Sequence, residues 1–528
     1  MKPATITLLS SDGTTMIAPI EDGGTVLQAI RNIDPALIDA PCGGAGTCGK
    51  CRVSVVSGDG GPITQEERRH LSAEDLGQGV RLACRVRAQD GLTVALGKRT
   101  GTAVIRESFS HISGNPDPLH REKGLYGVAV DIGTTTVAAY LIDFSLASVV
   151  ATASCLNRQR AYGADVIARI DYAGRGSQEL HQLADLIRQD ISQLTEALLK
   201  KANLQRDAIK EFSVVGNTTM LHLFSAVDPS SIAVAPFTPV FTELRSGKAE
   251  DYGLGYPGAR ITLGPSIAGY VGADITAGIR AVGMEKMAGL ALLLDLGTNG
   301  EMALGNRDEI LTCATAAGPA FEGAAISQGM GGVSGAIDSV YWEGENLRWT
   351  TIGGQKPLGI CGSGIIDTAA CLVQRGIADE SGALVEPYDQ EGFPVTPGNR
   401  GSIRFTQGDI RQIQLAKGAV AAGIATLLQE KGASVADIEK VFLAGGFGSY
   451  LRPESAAAIG LFPKELLSKV EAVGNAAGHG AVRLLLFKKE AEEIQSLARR
   501  AVYIELSTSA FFRDQFIEEM FFPADLGS

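Results

Sequence analysis

The chain lacks any run of 18 or more apolar residues, so no membrane-spanning helix is expected. Its first residues, MKPATITLLSSDGTT, lack the apolar stretch of a secretory leader. Both absences predict a cytoplasmic protein. Positive charge is scarce: 47 Lys and Arg stand against 59 Asp and Glu, a net −12. That balance argues against non-specific binding to nucleic acid or to an anionic membrane. Low complexity is also missing, because hydrophobic residues reach 45% and charged residues only 20%. Such a chain folds around sizeable cores. At about 150 residues per domain, its length predicts three to four domains or lobes. Glycine alone is abundant, 65 of 528 residues, which suits tight turns and phosphate-binding loops.

Structural disulfides are rare in a reducing compartment, so the eight cysteines need another role. Cys155, Cys313, Cys361 and Cys371 are scattered. Cys42, Cys48 and Cys51 crowd into PCGGAGTCGKCR, and Cys84 follows in RLACR. Three thiols on one glycine-rich loop plus one distant thiol can wrap an iron cluster, because glycine lets backbone amides turn toward the sulfurs. Zinc is the alternative, but it prefers paired CxxC hooks and Cys84 has no hook partner. Around the loop, ATITLLS and TTMIAPI alternate as a hairpin, EDGGTVLQAIRNI reads as a helix and KCRVSVVSG as a strand. Spacing and element order resemble the [2Fe–2S] ferredoxins with the x5, adrenodoxin-like gap. The resemblance covers about residues 1–95. It implies a β-grasp domain in which Cys42, Cys48, Cys51 and Cys84 hold a [2Fe–2S] cluster.

Residues 96–123 lack a clear period and mix proline, glycine and charge, so they read as a linker. Its TAVI stretch is expected to add a short strand. The linker is either a tether for a swinging domain or a passive connector.

Two later segments share a pattern. YGVAVDIGTTTVAAYLID (126–143) and LALLLDLGTNGEMAL (290–304) each run an apolar strand into D-[IL]-G-T and out again, 164 residues apart. Repetition of this kind predicts a duplicated fold with two lobes facing one nucleotide. In each loop glycine admits phosphate, threonine donates, and the aspartate can hold Mg²⁺ through water. KVFLAGGFGSYL (440–451) then runs a strand into paired glycines, where a missing side chain leaves room for adenine. Two such loops followed by AGGFG resemble the actin-like ATPase superfamily. The resemblance makes Asp131, Gly133, Thr134 and Thr135 the first phosphate loop. Asp295, Gly297, Thr298 and Asn299 become the second, and Gly445, Gly446 and Phe447 the adenosine loop. VGNAAGHGA (473–481) corresponds to the second connecting segment. The expected fold is therefore an α/β multidomain chain: ferredoxin 1–95, linker 96–123, first ribonuclease-H-like lobe 124–286, and C-terminal lobe 287–528.

Other residues carry open alternatives. Glu301 either orients water for attack on the γ-phosphate or is a plain strand carboxylate. Lys417 shares a helical stripe with Ile410, Ile413, Val420, Ile424 and Leu427; there it contacts nucleotide or snorkels. Ser363, in PLGICGSGIID, faces nucleotide or a partner's cofactor, or merely starts a helix. Cys361 in that loop is weighed as a ligand of a second cluster, and a tight helix start is preferred. Asp274 can line the cleft. His222 reads as packed rather than catalytic. Leu180, Leu183, Ile187, Ile191, Leu194 and Leu198 form the buried stripe of one helix, and the aromatic C-terminus is expected to dock as another.

With NRQRAYGADVIARI, VVGNTTM, DLGTNGE, AAGPAFEG and LAGGFGSYL, the whole chain resembles the reductive activators of corrinoid enzymes. The resemblance implies ATP-driven reduction of a partner corrinoid protein from Co(II) to Co(I), with a [2Fe–2S] cluster, ATP and Mg²⁺ as cofactors and an external electron donor. A homodimer is left open. The alternatives are an activator of another low-potential enzyme, such as a radical dehydratase, a small-molecule kinase, and a redox sensor.

Overall fold

The computed structural model describes residues 4–10, 14–20, 23–38, 40, 42–97, 114–323, 325–398, 402–445 and 451–524. At the N-terminus, β1 (Thr5–Leu9) and β2 (Thr15–Pro19) form the expected antiparallel hairpin. Alternation turns Ile6 and Leu8 inward. Helix α1 (Val26–Ile33) starts at a Thr25/Gln28 capping box and buries Val26, Leu27, Ala29 and Ile30. Strand β3 (Arg52–Ser57), short helices α2 (Gln65–His70) and α3 (Ala73–Gly77), and strands β4 (Val80–Leu82) and β5 (Thr93–Leu96) follow. The sheet order β2-β1-β5-β3-β4, with β1 parallel to β5, is the β-grasp. Glu67 and Arg81 form a buried ion pair, Nε to Oε1 2.7 Å. The carbonyls of Gly60, Gly61 and Pro62 take the remaining Arg81 donors, as a buried charge requires.

The first lobe opens with a meander of β6 (Tyr126–Ile132), β7 (Thr136–Asp143) and β8 (Ser148–Leu156). Helices α4 (Val166–Ala173) and α5 (Ser177–Ala202), β9 (Ile209–Gly216), α6 (Thr218–Phe224), β10 (Arg245–Lys248), β11 (Arg260–Leu263) and α7 (Ala273–Val282) complete it. On α5, Leu183, Ile187, Ile191, Leu194 and Leu198 are buried and Leu180 partly so, as the periodicity predicts. The second lobe repeats the plan with β12 (Leu290–Leu296), β13 (Gly300–Gly305) and β14 (Ile310–Thr315). A side sheet of β15 (Ala336–Glu343), β16 (Asn346–Thr351) and β17 (Gly359–Ile360) follows, then α8 (Gly362–Gln374) and α9 (Tyr388–Glu391). Next come the pair β18 (Phe393–Pro394) and β19 (Arg404–Phe405), α10 (Gln407–Lys431), β20 (Ile438–Ala444), α11 (Pro453–Ala458) and β21 (Val470–Gly474). Helices α12 (Ala476–Leu486) and α13 (Glu490–Arg500), β22 (Val502–Tyr503) and α14 (Ala510–Glu518) end the chain.

The two main sheets have matching orders, β10-β11-β9-β6-β7-β8 and β21-β20-β12-β13-β14-β22. In each, parallel strands join the first strand of the meander, β9 on β6 and β20 on β12. Asp131 and Asp295 are the penultimate residues of equivalent strands. This is the duplicated ribonuclease-H-like architecture. The strands fall on either side of the division expected at 286/287, but the helices cross it. Ala477, Ala481, Val482 and Leu485 of α12 pack into the first lobe's core. Ile275 and Ile279 of α7 pack on Leu293 and Phe442 of the second. A Cβ on Gly480 would lie 2.3 Å from the Ala277 carbonyl, so glycine permits this close crossing.

Of the linker, 98–113 and with it TAVI lie outside the described residues. From Gly114 onward the chain is fixed rather than a tether: Asp117 N–H donates to the Leu486 carbonyl at 2.9 Å. The C-terminal helix forms as expected, along α10.

Candidate functional site

The thiols fall into two pairs. Sγ of Cys42 and Cys48 are 3.2 Å apart, and Sγ of Cys51 and Cys84 are 3.3 Å apart. Cys51 and Cys84 are buried, whereas Cys42 and Cys48 sit nearer the surface. Their loop turns on Gly43, Gly44, Gly46 and Gly49, all at positive φ. A Cβ on Gly46 would lie 2.2 Å from the Arg85 guanidinium. That guanidinium itself braces the loop by donating to the carbonyls of Gly44 and Ala45. The Cys48 thiol and the N–H groups of Gly44, Thr47 and Cys48 pull Cys42 down to about 3. A neighbouring Cys84 thiol lowers Cys51 to about 7. In each pair the other thiol moves the opposite way, since its neighbour and then burial push Cys48 and Cys84 up; each pair thus presents one thiolate, the form that binds metal. Among the described residues no three His, Cys, Asp or Glu side chains converge on one ion. Two thiol pairs therefore suit two irons, one pair each, better than one tetrahedral zinc. This donor set fits a [2Fe–2S] cluster.

The phosphate loops are hairpins of unequal span: Ile132 pairs with Val137 across the first and Leu296 with Gly300 across the second. Gly133 N–H closes the first on the Thr136 carbonyl at 3.0 Å, and Gly297 N–H closes the second on the Asn299 carbonyl at 2.9 Å. They face each other: the Thr135 and Thr298 hydroxyls are 3.2 Å apart. Both donate to the Glu322 carboxylate, at 2.8 and 2.9 Å. Asp131 accepts from Asn475 Nδ2 at 2.8 Å, and the Asn475 Oδ1 caps α12. The Thr134 hydroxyl accepts from Asn217 Nδ2 at 3.0 Å. Asn157 donates its N–H to the Thr135 carbonyl and its Nδ2 to the Gly133 carbonyl.

Behind the second loop stand three carboxyl groups. Burial, reinforced by the Asp274 charge, pushes Asp295 up to about 7. Burial also raises Asp274 to about 6. Glu301 faces Asp295 across the β12–β13 ladder and accepts from Asn299 Nδ2 at 3.2 Å. Burial, then Asp274 and Asp295, raise it well above the carboxylate range. Three buried carboxyl groups that feel one another resist simultaneous ionisation.

Other expected residues lie elsewhere. The Lys417 Nζ donates to the Phe521 carbonyl at 2.5 Å and points at the C-terminal segment. The helical stripe marked it as buried but not against what. Ser363 donates to the Asp338 carbonyl at 2.7 Å, and Cys361 to the Ile337 carbonyl. Both secure the start of α8 within the core, in place of contact with nucleotide or a cluster. Gly445 makes a close backbone approach. A Cβ there would lie 2.4 Å from the Leu296 carbonyl, so this glycine lets β20 press on the second phosphate loop. Gly446 and Phe447 lie outside the described residues. His222 is packed: it stacks on Phe241 at 4.1 Å, and burial lowers it to about 4.

Glu322, Asn157, Asn217 and Asn475 were not singled out by residue. Each sits in a segment that had been noticed: AAGPAFEG, NRQRAYGADVIARI, VVGNTTM and VGNAAGHGA. The available signal was an Asn after a strand and before a helical turn, the N-cap pattern.

Comparison with known proteins agrees with this layout. Residues 9–89 match the 2Fe-2S iron-sulfur cluster binding domain, 126–287 the RACo middle region, and 289–527 the C-terminal domain of RACo, the ASKHA domain. A corrinoid activation enzyme RamQ of Eubacterium limosum is 36% identical over 76% of this chain and 71% of its own length. A Co(II) methylated amine-specific corrinoid protein reductase of Methanosarcina barkeri is 26% identical over 75% of this chain and 77% of its own. A solved structure of a reductive activator for corrinoid, iron–sulfur protein aligns with TM-score 0.73 at 30% identity, over 98% of both chains. Cage, paired loops and end-to-end similarity together place the chain in the RACo family, that of the reductive activators of corrinoid enzymes.

Proposed function

We propose that this protein is an ATP-dependent reductive activator that takes a partner corrinoid protein from Co(II) to Co(I). The observation that carries the reading is one chain holding both a paired-thiol cage and two phosphate loops facing across a cleft. When bound, a [2Fe–2S] cluster supplies single electrons, which an external donor must replenish. Co(II)/Co(I) couples lie below ordinary ferredoxin potentials, roughly −400 mV for the plant type. Each ~59 mV of deficit is a tenfold unfavourable factor for one electron. Nucleotide-driven change in the grip on the partner offsets that deficit.

Asp131 and Asp295 would hold Mg²⁺, which would offset phosphate charge. Thr134, Thr135, Thr298 and Asn299 contact phosphate with hydroxyl, amide and backbone donors. Glu322, between the two threonines, orients the attacking water, a role for which Glu301 is too enclosed. A thiol cage of this kind keeps its thiols reduced in the cytoplasm.

The test is the visible spectrum of a corrinoid protein mixed with the full chain, a reductant and Mg·ATP. Co(I) absorbance should grow only when all three are present. Equal reduction without ATP, or none with it, would sink the proposal.

A further inference from the structure

Asn157 and Arg169, at the two ends of the stretch 157–169, donate to the carbonyls of Gly133, Thr134 and Thr135 in the first phosphate loop. Asn157 donates to the carbonyls of Gly133 and Thr135. Arg169, fully buried, donates to the carbonyl of Thr134. The same guanidinium donates Nε to the Gly163 carbonyl at 2.9 Å and Nη1 to the Gln159 side chain at 3.3 Å. A buried guanidinium with a fixed fork has little freedom to follow one partner without moving the other. Gly163 also packs closely on the α4 backbone, since a Cβ there would lie 2.8 Å from the Ala168 carbonyl carbon and the Arg169 backbone nitrogen.

The same stretch carries Tyr162, which meets the ferredoxin domain. Its carbonyl oxygen lies 3.1 Å from where a Gly43 Cβ would stand, and Gly43 has φ +65°, so glycine favours this close seating of the cluster loop. The Arg31 guanidinium lies 5.0 Å from the Tyr162 ring centroid while Nη1 donates to the Gly43 carbonyl at 3.2 Å. Its Nε and Nη2 are buried without a hydrogen-bond partner. The cation is thus committed to the aromatic face and to the cluster loop.

We infer that the first phosphate loop and the seat of the cluster loop form one coupled unit, joined through Arg169 and Tyr162, so that nucleotide tightens the docking of the ferredoxin domain. This rests on the nucleotide reading above. The sign follows from the peptide groups. The N–H of Thr135 shares its peptide with the Thr134 carbonyl. A phosphate accepting from that N–H polarises the carbonyl and strengthens its bond to Arg169. Arg169 then holds Gly163, and with it Tyr162, in the docked position. Linkage requires the docked domain to raise nucleotide affinity by the same factor. Hydrolysis relaxes the unit and frees the cluster loop's covered face. Arg169 and Tyr162 are positioning residues in this scheme, and neither contacts substrate.

The test uses the anaerobically purified full chain and a non-hydrolysable ATP analogue with Mg²⁺. Binding is measured by calorimetry, and hydrogen exchange is followed at residues 42–49 and 159–163. In the unaltered protein the analogue should slow exchange in both segments. Arg31→Ala, on the ferredoxin domain and remote from the cleft, should weaken analogue binding about fivefold, at the low end of typical coupling. It should also abolish the response at 42–49. Visible absorbance reports whether its cluster is intact. Tyr162→Ala, on the other side of the contact, should do the same. Equal affinity in all three proteins, with exchange at 42–49 unmoved by analogue, overturns the coupling and leaves the nucleotide reading intact. No binding to the unaltered protein overturns the nucleotide reading itself, and the coupling with it.

Discussion

The cage and the cleft are built on opposite plans. Cys42, Cys48, Cys51 and Cys84 share one small domain, and three of them share one loop. The cleft is assembled across the chain: Asp131 meets Asn475, and Thr135 meets Thr298 and Glu322. A cage built within one domain keeps its geometry when that domain moves. A cleft whose contacts cross between lobes changes whenever the lobes do. Each cross-lobe hydrogen bond to a carboxylate contributes a net of roughly 1.5–3 kcal/mol, little enough to be exchanged for contacts to a nucleotide. The molecule thus separates a rigid electron site from a deformable nucleotide site.

The most drastic way to break this comparison is to remove one wall of the cage. Cys51→Ala should abolish visible absorbance and the EPR signal of the reduced protein. At saturating ATP, hydrolysis should stay within about twofold, because the coupling through Tyr162 and Arg169 acts on nucleotide affinity and not on the chemical step. Loss of hydrolysis along with the cluster would show that the cage and the cleft are not separable.

Glu322→Gln attacks the cleft instead. It keeps the size of the side chain and an acceptor for the two threonines but removes the charge. If Glu322 orients water, kcat for ATP hydrolysis should fall on the order of 10²-fold or more, with analogue affinity and cluster absorbance nearly unchanged. A raised KM with unchanged kcat would make Glu322 a latch between loops instead.

How legible each region was follows from the same contrast. The cage was readable because its ligands are close in sequence and their spacing is itself the signal. The phosphate loops were readable because each is a single hairpin, Asp131 to Thr135 and Asp295 to Asn299. Glu322 and Asn475 were not, since their roles exist only after two lobes pack together. For Lys417, periodicity reports burial and not the identity of the neighbour. At Gly445, close approach of a carbonyl leaves the same trace in sequence as room for adenine.

A smaller effect sharpens the boundary between lobes. Asn475→Ala should leave Asp131 without its amide partner and α12 without its cap. A hydrogen bond to a charged group is worth roughly 1.5–3 kcal/mol, so analogue affinity should fall about tenfold or more. The cluster's spectrum should not change. Unchanged affinity would mean that Asp131 is positioned by the first lobe alone.

The smallest effect concerns where the cleft ends. Lys417 sits in the core with its ammonium on the Phe521 carbonyl, and burial lowers it to about 8. In the unfolded chain a lysine titrates near 10.4. Between those values the native state binds fewer protons than the unfolded state, so stability rises with pH. The contribution is complete above about 10.4 and is lost as pH falls through about 8. Lys417→Met keeps the volume and removes the buried charge. The melting temperature of the unaltered protein, relative to Lys417→Met, should therefore climb by about 2 °C between pH 8 and 10. Taking the difference between the two proteins cancels the other groups that titrate there. Analogue affinity at pH 7.5 should agree within about twofold, since distant sites act independently. A tenfold loss of affinity in Lys417→Met would return this lysine to the nucleotide cleft and extend the cleft to α10.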